Sequence, residues 1–161
     1  MSYDISLKDP VTKDVVHFDT PHQMEGGTYA IGGTSEAWLN ITYNYARWYY
    51  KDGVFPDRGE AGKDFHDGLT GIRSIYGLSG AESIPILEHA IKSLESMTED
   101  LSEEEVQEYK DGGAGGYWTP TRANAVRPLY QLLAMAKMRP DAVWDGDWTN
   151  ESLPKMERME G

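Results

Sequence analysis

"TSEAWLNITYNYARWYY", Thr34–Tyr50, carries two periodicities at once. Trp38, Ile41, Tyr45 and Trp48 fall at helical spacing, whereas Ile41, Tyr43 and Tyr45 alternate with polar residues as a strand would. The helix is the expectation, capped by Thr34 or Ser35 and ending near Tyr50. Ile41, Thr42 and the tyrosines are poor to middling helix formers, so packing has to supply much of its stability. On such a helix Asn40, Tyr43, Asn44 and Arg47 turn away from the apolar face. Amides, a phenol and a guanidinium together suit a nucleotide or a polar peptide. The competing reading is a core helix whose tyrosines satisfy their hydroxyls locally.

Upstream, Gly26-Gly27 and Gly32-Gly33 bracket a short strand expected at Thr28–Ile31. Before it, "DISL" and "VVHF" alternate around "KDPVTKD", the pattern of a hairpin. These segments predict a small N-terminal antiparallel sheet. Gly33-Thr34-Ser35 would open the following helix, and free amides at a helix start hold anions. Thr28, Tyr29 and Thr34 therefore join the candidate ligand residues. Turn geometry alone also explains such glycines, and neither GxGxxG nor GxxxxGK[ST] is present.

Downstream, "KDGVFPDRGEAGKDFHDGLTG" reads as a long loop and "IRSIYGLSG" as a short helical turn. A helix is expected from about Ala81 to Met97, with Pro85 in its first turn. Ser102 and Glu105 form a capping box for a short acidic helix through Tyr109. The last strong helix lies within Thr121–Met138, capped by Asn124; Pro128 either kinks it or stands in its first turn. "WDGDW" reads as a turn with two exposed tryptophans, Trp144 and Trp148, which points to homo-oligomerisation. The fold class expected is α+β: a small sheet packed by about four helices in a single domain over 1–147. A polar extension follows over 148–161.

In "WTPTRANAVRP", Thr119, Thr121, Arg122 and Arg127 gather hydroxyls and guanidiniums at a helix start, a set that can clamp phosphate. The simpler account pairs these arginines with the acidic stretch Glu95–Asp111. That stretch holds eight acidic residues against Lys110, within a chain of net charge -12. Such a patch can imitate DNA phosphates, although solvated acidic helices are common. The same acidity argues against non-specific binding to duplex DNA.

The 161 residues suffice for one core. Cysteine is absent, which removes disulfides, thiolate metal sites and a cysteine nucleophile. His17, His22, His66 and His89 lack paired ligand spacing, and no GxSxG elbow occurs. No metal, cofactor or catalytic residue is expected. With no basic-apolar leader and no run of about 20 apolar residues, the expected location is cytoplasmic, away from membranes.

"GGTYAIGGTSEAWLNITYNY", "GIRSIYGLSGAESIPILEHAI" and "YWTPTRANAVRPLYQLLAMAKMRPDAVWDGD" together resemble a family of small proteins encoded by bacteriophages and prophages, often of gut Firmicutes. The likeness covers most of Tyr3–Asp147 and departs from the family at Tyr49–Thr70 and after Asp147. It implies a host-cell setting and an accessory role more than a chemistry. The expectation is a phage accessory protein that counteracts a host defence by sequestering a small nucleotide-like ligand, with residues 26–47 and 119–127 as its recognition surface. The alternatives are an inhibitor of a host defence protein, possibly acting through its acidic face as a DNA mimic, and a small hydrolase.

Overall fold

The computed structural model describes residues 2–18, 28–29, 36–58 and 69–146. Four strands, β1 (Ser2–Lys8), β2 (Thr28–Tyr29), β3 (Trp38–Thr42) and β4 (Val143–Gly146), form one antiparallel sheet in the order β2-β3-β1-β4. Four helices accompany it: α1 (Ala46–Tyr49), α2 (Gly80–Glu95), α3 (Glu103–Asp111) and α4 (Arg122–Met138). The fold is α+β.

The helix expected over Thr34–Tyr50 is corrected: its centre is strand β3. Leu39 and Ile41 are buried while Trp38, Asn40 and Thr42 are half-exposed, a period of two. Strand pairing wins because β1 and β2 flank β3, with Tyr3 opposite Ile41, Ile5 opposite Leu39 and Thr28 opposite Ile41. Two ladders satisfy a backbone that its β-favouring residues leave weakly helical. Helical spacing begins only after Thr42, whose Oγ1 accepts from the Asn44 amide at 3.2 Å and caps a 3₁₀ turn, Tyr43–Tyr45. That turn runs into α1, so Tyr45, Trp48 and Tyr49 are buried together. Thr34 and Ser35, the expected caps, lie outside the described residues.

Other expectations shift in smaller ways. The second hairpin limb is present as isolated bridges, Lys8–Val15 and His17–Glu36, and not as a strand. Helix α2 starts at Gly80 with a Ser79–Glu82 capping box, which moves Pro85 beyond the first turn. Helix α3 has its predicted Ser102–Glu105 box. Thr121, not Asn124, caps α4, and Pro128 stands inside the helix.

"WDGDW" is not a turn at its start. Val143–Gly146 pairs with β1, Leu7 opposite Trp144, so the sheet draws on both ends of the chain. Trp144 is 1% exposed and its Nε1 donates to Ser83 Oγ at 2.7 Å, which removes it as a reason for oligomerisation. Trp148 and the 148–161 extension lie outside the described residues.

The core joins Tyr3, Ile5, Leu7, Leu39 and Ile41 of the sheet to Leu87, Ile91 and Leu94 of α2 and Leu129, Leu132 and Ala136 of α4. Two buried donors tie the β3–α1 segment to the start of α4. Trp48 Nε1 donates to the Pro120 carbonyl at 2.8 Å, and Tyr49 OH to the Ala125 carbonyl at 2.7 Å. Burial lifts the Tyr3, Tyr45 and Tyr49 phenols above their ordinary range. No helix among the described residues is long and apolar enough to cross a membrane.

Candidate ligand-binding groove

The outer side of β3 and the loop after α3 enclose an open groove of about 380 Å³. Ser2, Asn40, Thr42 and Asn44 form one wall, and Gly112, Gly113, Ala114 and Trp118 the other. Strand alternation places Asn40 and Thr42 here, since Leu39 and Ile41 take the inner face. Asn44 follows because Thr42 turns the chain at the strand end.

Hydrogen bonds fix both walls. Asn40 Nδ2 donates to Ser2 Oγ at 2.7 Å and to Asp4 Oδ1. Asn44 Nδ2 donates to the Trp118 carbonyl at 2.9 Å, joining the walls. The opposite loop turns at Gly113 and Gly116, with φ of 87° and 66°, where side chains are disfavoured. Thr119 Oγ1 donates to the Ala114 carbonyl at 2.9 Å, and Asn124 Nδ2 donates to the Thr119 carbonyl at 3.0 Å. Trp118 keeps 45% of its surface exposed on this anchored loop. Among the described residues, the lining offers amides, hydroxyls, glycine backbone and an indole face, and no carboxylate, imidazole, lysine or arginine. Such a set binds by hydrogen bonding and stacking.

The four residues expected on one helix face are dispersed. Asn40 and Asn44 share the groove. Tyr43 instead packs edge-on to Tyr3, ring centroids 4.6 Å apart, and its hydroxyl accepts from Arg73 Nη2 at 3.0 Å. Arg47 Nη1 lies 3.6 Å from Glu105, and its guanidinium stands 5.7 Å from the Trp48 ring. Hydrogen bonding from Ser102, more than the charge of Arg47, holds the Glu105 carboxyl below its ordinary range. Thr28 and Tyr29 lie in β2 opposite Ile41 and Asn40, and Thr34 is outside the described residues.

The start of α4 is occupied by the chain's own groups. Thr121 caps the helix, and Asp100 Oδ1 accepts from the Arg122 amide at 3.0 Å, as an anion at a helix N-terminus does. The Arg122 side chain donates to the Glu99 carbonyl at 3.0 Å and the Leu94 carbonyl at 2.7 Å, closing the end of α2. Arg122 thus meets the acidic stretch through its backbone amide at Asp100 and through the Glu99 backbone carbonyl, its guanidinium bonding carbonyls and not carboxylates in these contacts. Arg127 stands with Arg122, Glu95, Asp100 and Tyr130 in a second groove of about 470 Å³. Tyr130 OH donates to Glu95 Oε2 there at 2.6 Å, which raises its phenol above the ordinary range.

Two residues stand outside the candidate ligand set. Trp118 is exposed on the groove, a position that follows from the glycine turns around it. Arg73 is only 7% exposed, donates to Tyr43 OH and Tyr50 OH, and lies 5.0 Å from the Tyr3 ring. Its one signal in the sequence is a charge between Ile72 and Ile75. Among the described residues, no group of three or more histidines or carboxylates is placed to hold a metal. No family model, curated protein or solved structure matches the chain.

Proposed function

We propose that this is a phage accessory protein that binds, and does not transform, a small nucleotide-like ligand, withdrawing it from a host defence. The observation that carries the reading is the exposed Trp118 indole, held across a preformed groove from Asn40 and Asn44. Aromatic faces stack on bases irrespective of their identity, and side-chain amides supply the directional contacts. The described side chains lining the groove are amides, hydroxyls and an indole, a set suited to retention more than to acid–base chemistry. The host-cell setting comes from the resemblance to phage proteins. The proposed recognition surface keeps Asn40 and Asn44 of residues 26–47 but replaces 119–127 with the loop 112–118, because Arg47 and Arg122 engage the chain's own acceptors. The test is mass spectrometry of small molecules released from the purified protein after exposure to infected-cell lysate. A nucleotide-like compound retained by the wild type and lost from Trp118→Ala is expected. Equal recovery from both proteins, or recovery of none, defeats the reading.

A second reading, inhibition of a host defence protein, draws on α3. No residue of that helix is buried, and Glu103, Glu104, Glu108 and Asp111 are exposed along it. An acidic helix so presented suits a basic partner surface. One host protein recovered with the wild type, and lost when these four residues become amides, would favour this reading over ligand capture.

A further inference from the structure

We infer that the groove reads the amino-bearing edge of an uncharged, adenine-like base and leaves phosphate outside; this rests on the ligand-binding reading above. The hydrogen-bond inventory sets the preference. Asn40 spends both N–H bonds of its side-chain amide on Ser2 Oγ and Asp4 Oδ1, so its carbonyl oxygen is what remains for a guest. Asn44 spends one N–H on the Trp118 carbonyl, which leaves its second N–H and its carbonyl oxygen for a guest. An amide presenting one acceptor and one donor matches an exocyclic amine next to a ring nitrogen, the pairing asparagine makes with adenine. Asn40 adds a further acceptor, and Trp118 supplies the stacking surface.

Charge sets the exclusion. The glycines of the second wall follow directly on the C-terminus of α3, the negative end of a helix with five carboxylates against Lys110. Asp111 precedes Gly112, and on the first wall Asp4 is bonded to Asn40. Among the described residues no lysine or arginine lines the groove, and Arg122 is engaged with the end of α2. A phosphate carried in with the base meets like charge, with no counter-ion among the described lining residues, a penalty that salt weakens.

Isothermal titration of the full-length protein with adenosine, AMP and ATP tests this. Adenosine is expected to bind most tightly, with affinity falling about threefold to tenfold per added phosphate at low salt and the gap narrowing at high salt. Trp118→Ala should weaken adenosine by about tenfold or more. Asp111→Asn should raise AMP affinity while leaving adenosine unchanged. ATP binding as tightly as adenosine, with loss in Trp118→Ala, overturns the phosphate exclusion and leaves the ligand-binding reading standing. Failure of adenosine to bind overturns the inference, and the released-ligand experiment then decides separately whether another guest occupies the groove.

Discussion

Asn44 and Trp118 lie 74 positions apart, yet the side-chain amide of one donates to the backbone carbonyl of the other at 2.9 Å. This bond ties a residue of the 26–47 segment that the sequence marks for recognition to a loop residue just outside the other marked segment, 119–127. It fixes the loop carrying the indole relative to the strand carrying the amides, so a guest would meet both at little ordering cost.

Replacing Trp118 by alanine should separate binding from stability. The side chain is half in solvent, so the change should cost under about 1 kcal/mol of folding free energy. Ligand affinity should fall about tenfold or more. Thermal unfolding beside calorimetric titration checks both, and a large drop in Tm would make the indole a packing element.

Arg122→Ala should behave oppositely. It removes two donors that close α2 and leaves the Asn40–Asn44 groove intact. A loss of about 2 kcal/mol, or a Tm lower by about 4–8 °C, is expected from denaturation. Arg122→Lys should recover little, because one ammonium does not reproduce the guanidinium geometry.

Gly80→Ala sets helix propensity against space. Alanine at the first helical position gains less than about 1 kcal/mol. Its Cβ, however, would stand 2.6 Å from the Arg139 carbonyl oxygen and 2.9 Å from that of Ala136, both backbone atoms. Overpacking should win, at about 1–3 kcal/mol net destabilisation by urea titration.

Acid sensitivity should trace partly to Asp9. Backbone amides of Thr12 and Val11, then Arg139, hold its carboxyl down to about 2 from an ordinary 3.8. A depressed carboxyl stabilises the fold above its unfolded value, and that contribution disappears as pH falls through the folded one. Stability measured from pH 5 to 2 should therefore decline, and more shallowly in Asp9→Asn. Identical slopes would remove Asp9 from the account.

Alkaline behaviour follows the opposite sign. Tyr3, Tyr45 and Tyr49 have raised phenols, so keeping them neutral stabilises the fold below their ordinary pKa and destabilises it as pH climbs beyond. Phenolate absorbance should show these three silent among ten tyrosines until the protein unfolds. Ionisation of all ten in a folded sample would contradict their burial.

The sequence made the helices that carry apolar stripes and caps legible. Ser102–Glu105 stands where the capping box is expected, and α2 and α4 stand where helices are expected, within shifted ends. It misled where tertiary partners decide. Trp38, Ile41, Tyr45 and Trp48 fit one helical face by spacing, but a strand and a turn of helix joined at Thr42 place three of the four inside just as well. Strand β4 was hidden because "VWDG" is short, and only pairing with β1 gives it its form. Asn40 and Asn44 could be picked out by type; their meeting with Trp118 depends on the glycine loop that returns beside them.

β1 is the first strand in the chain and an interior strand of the sheet, between β3 and β4. A fragment stopping short of Val143 would therefore leave one of its edges bare, open to pairing with another fragment. Assembly should be all-or-none, waiting on the last strand to arrive. Removal of that strand should convert the protein into an aggregating species.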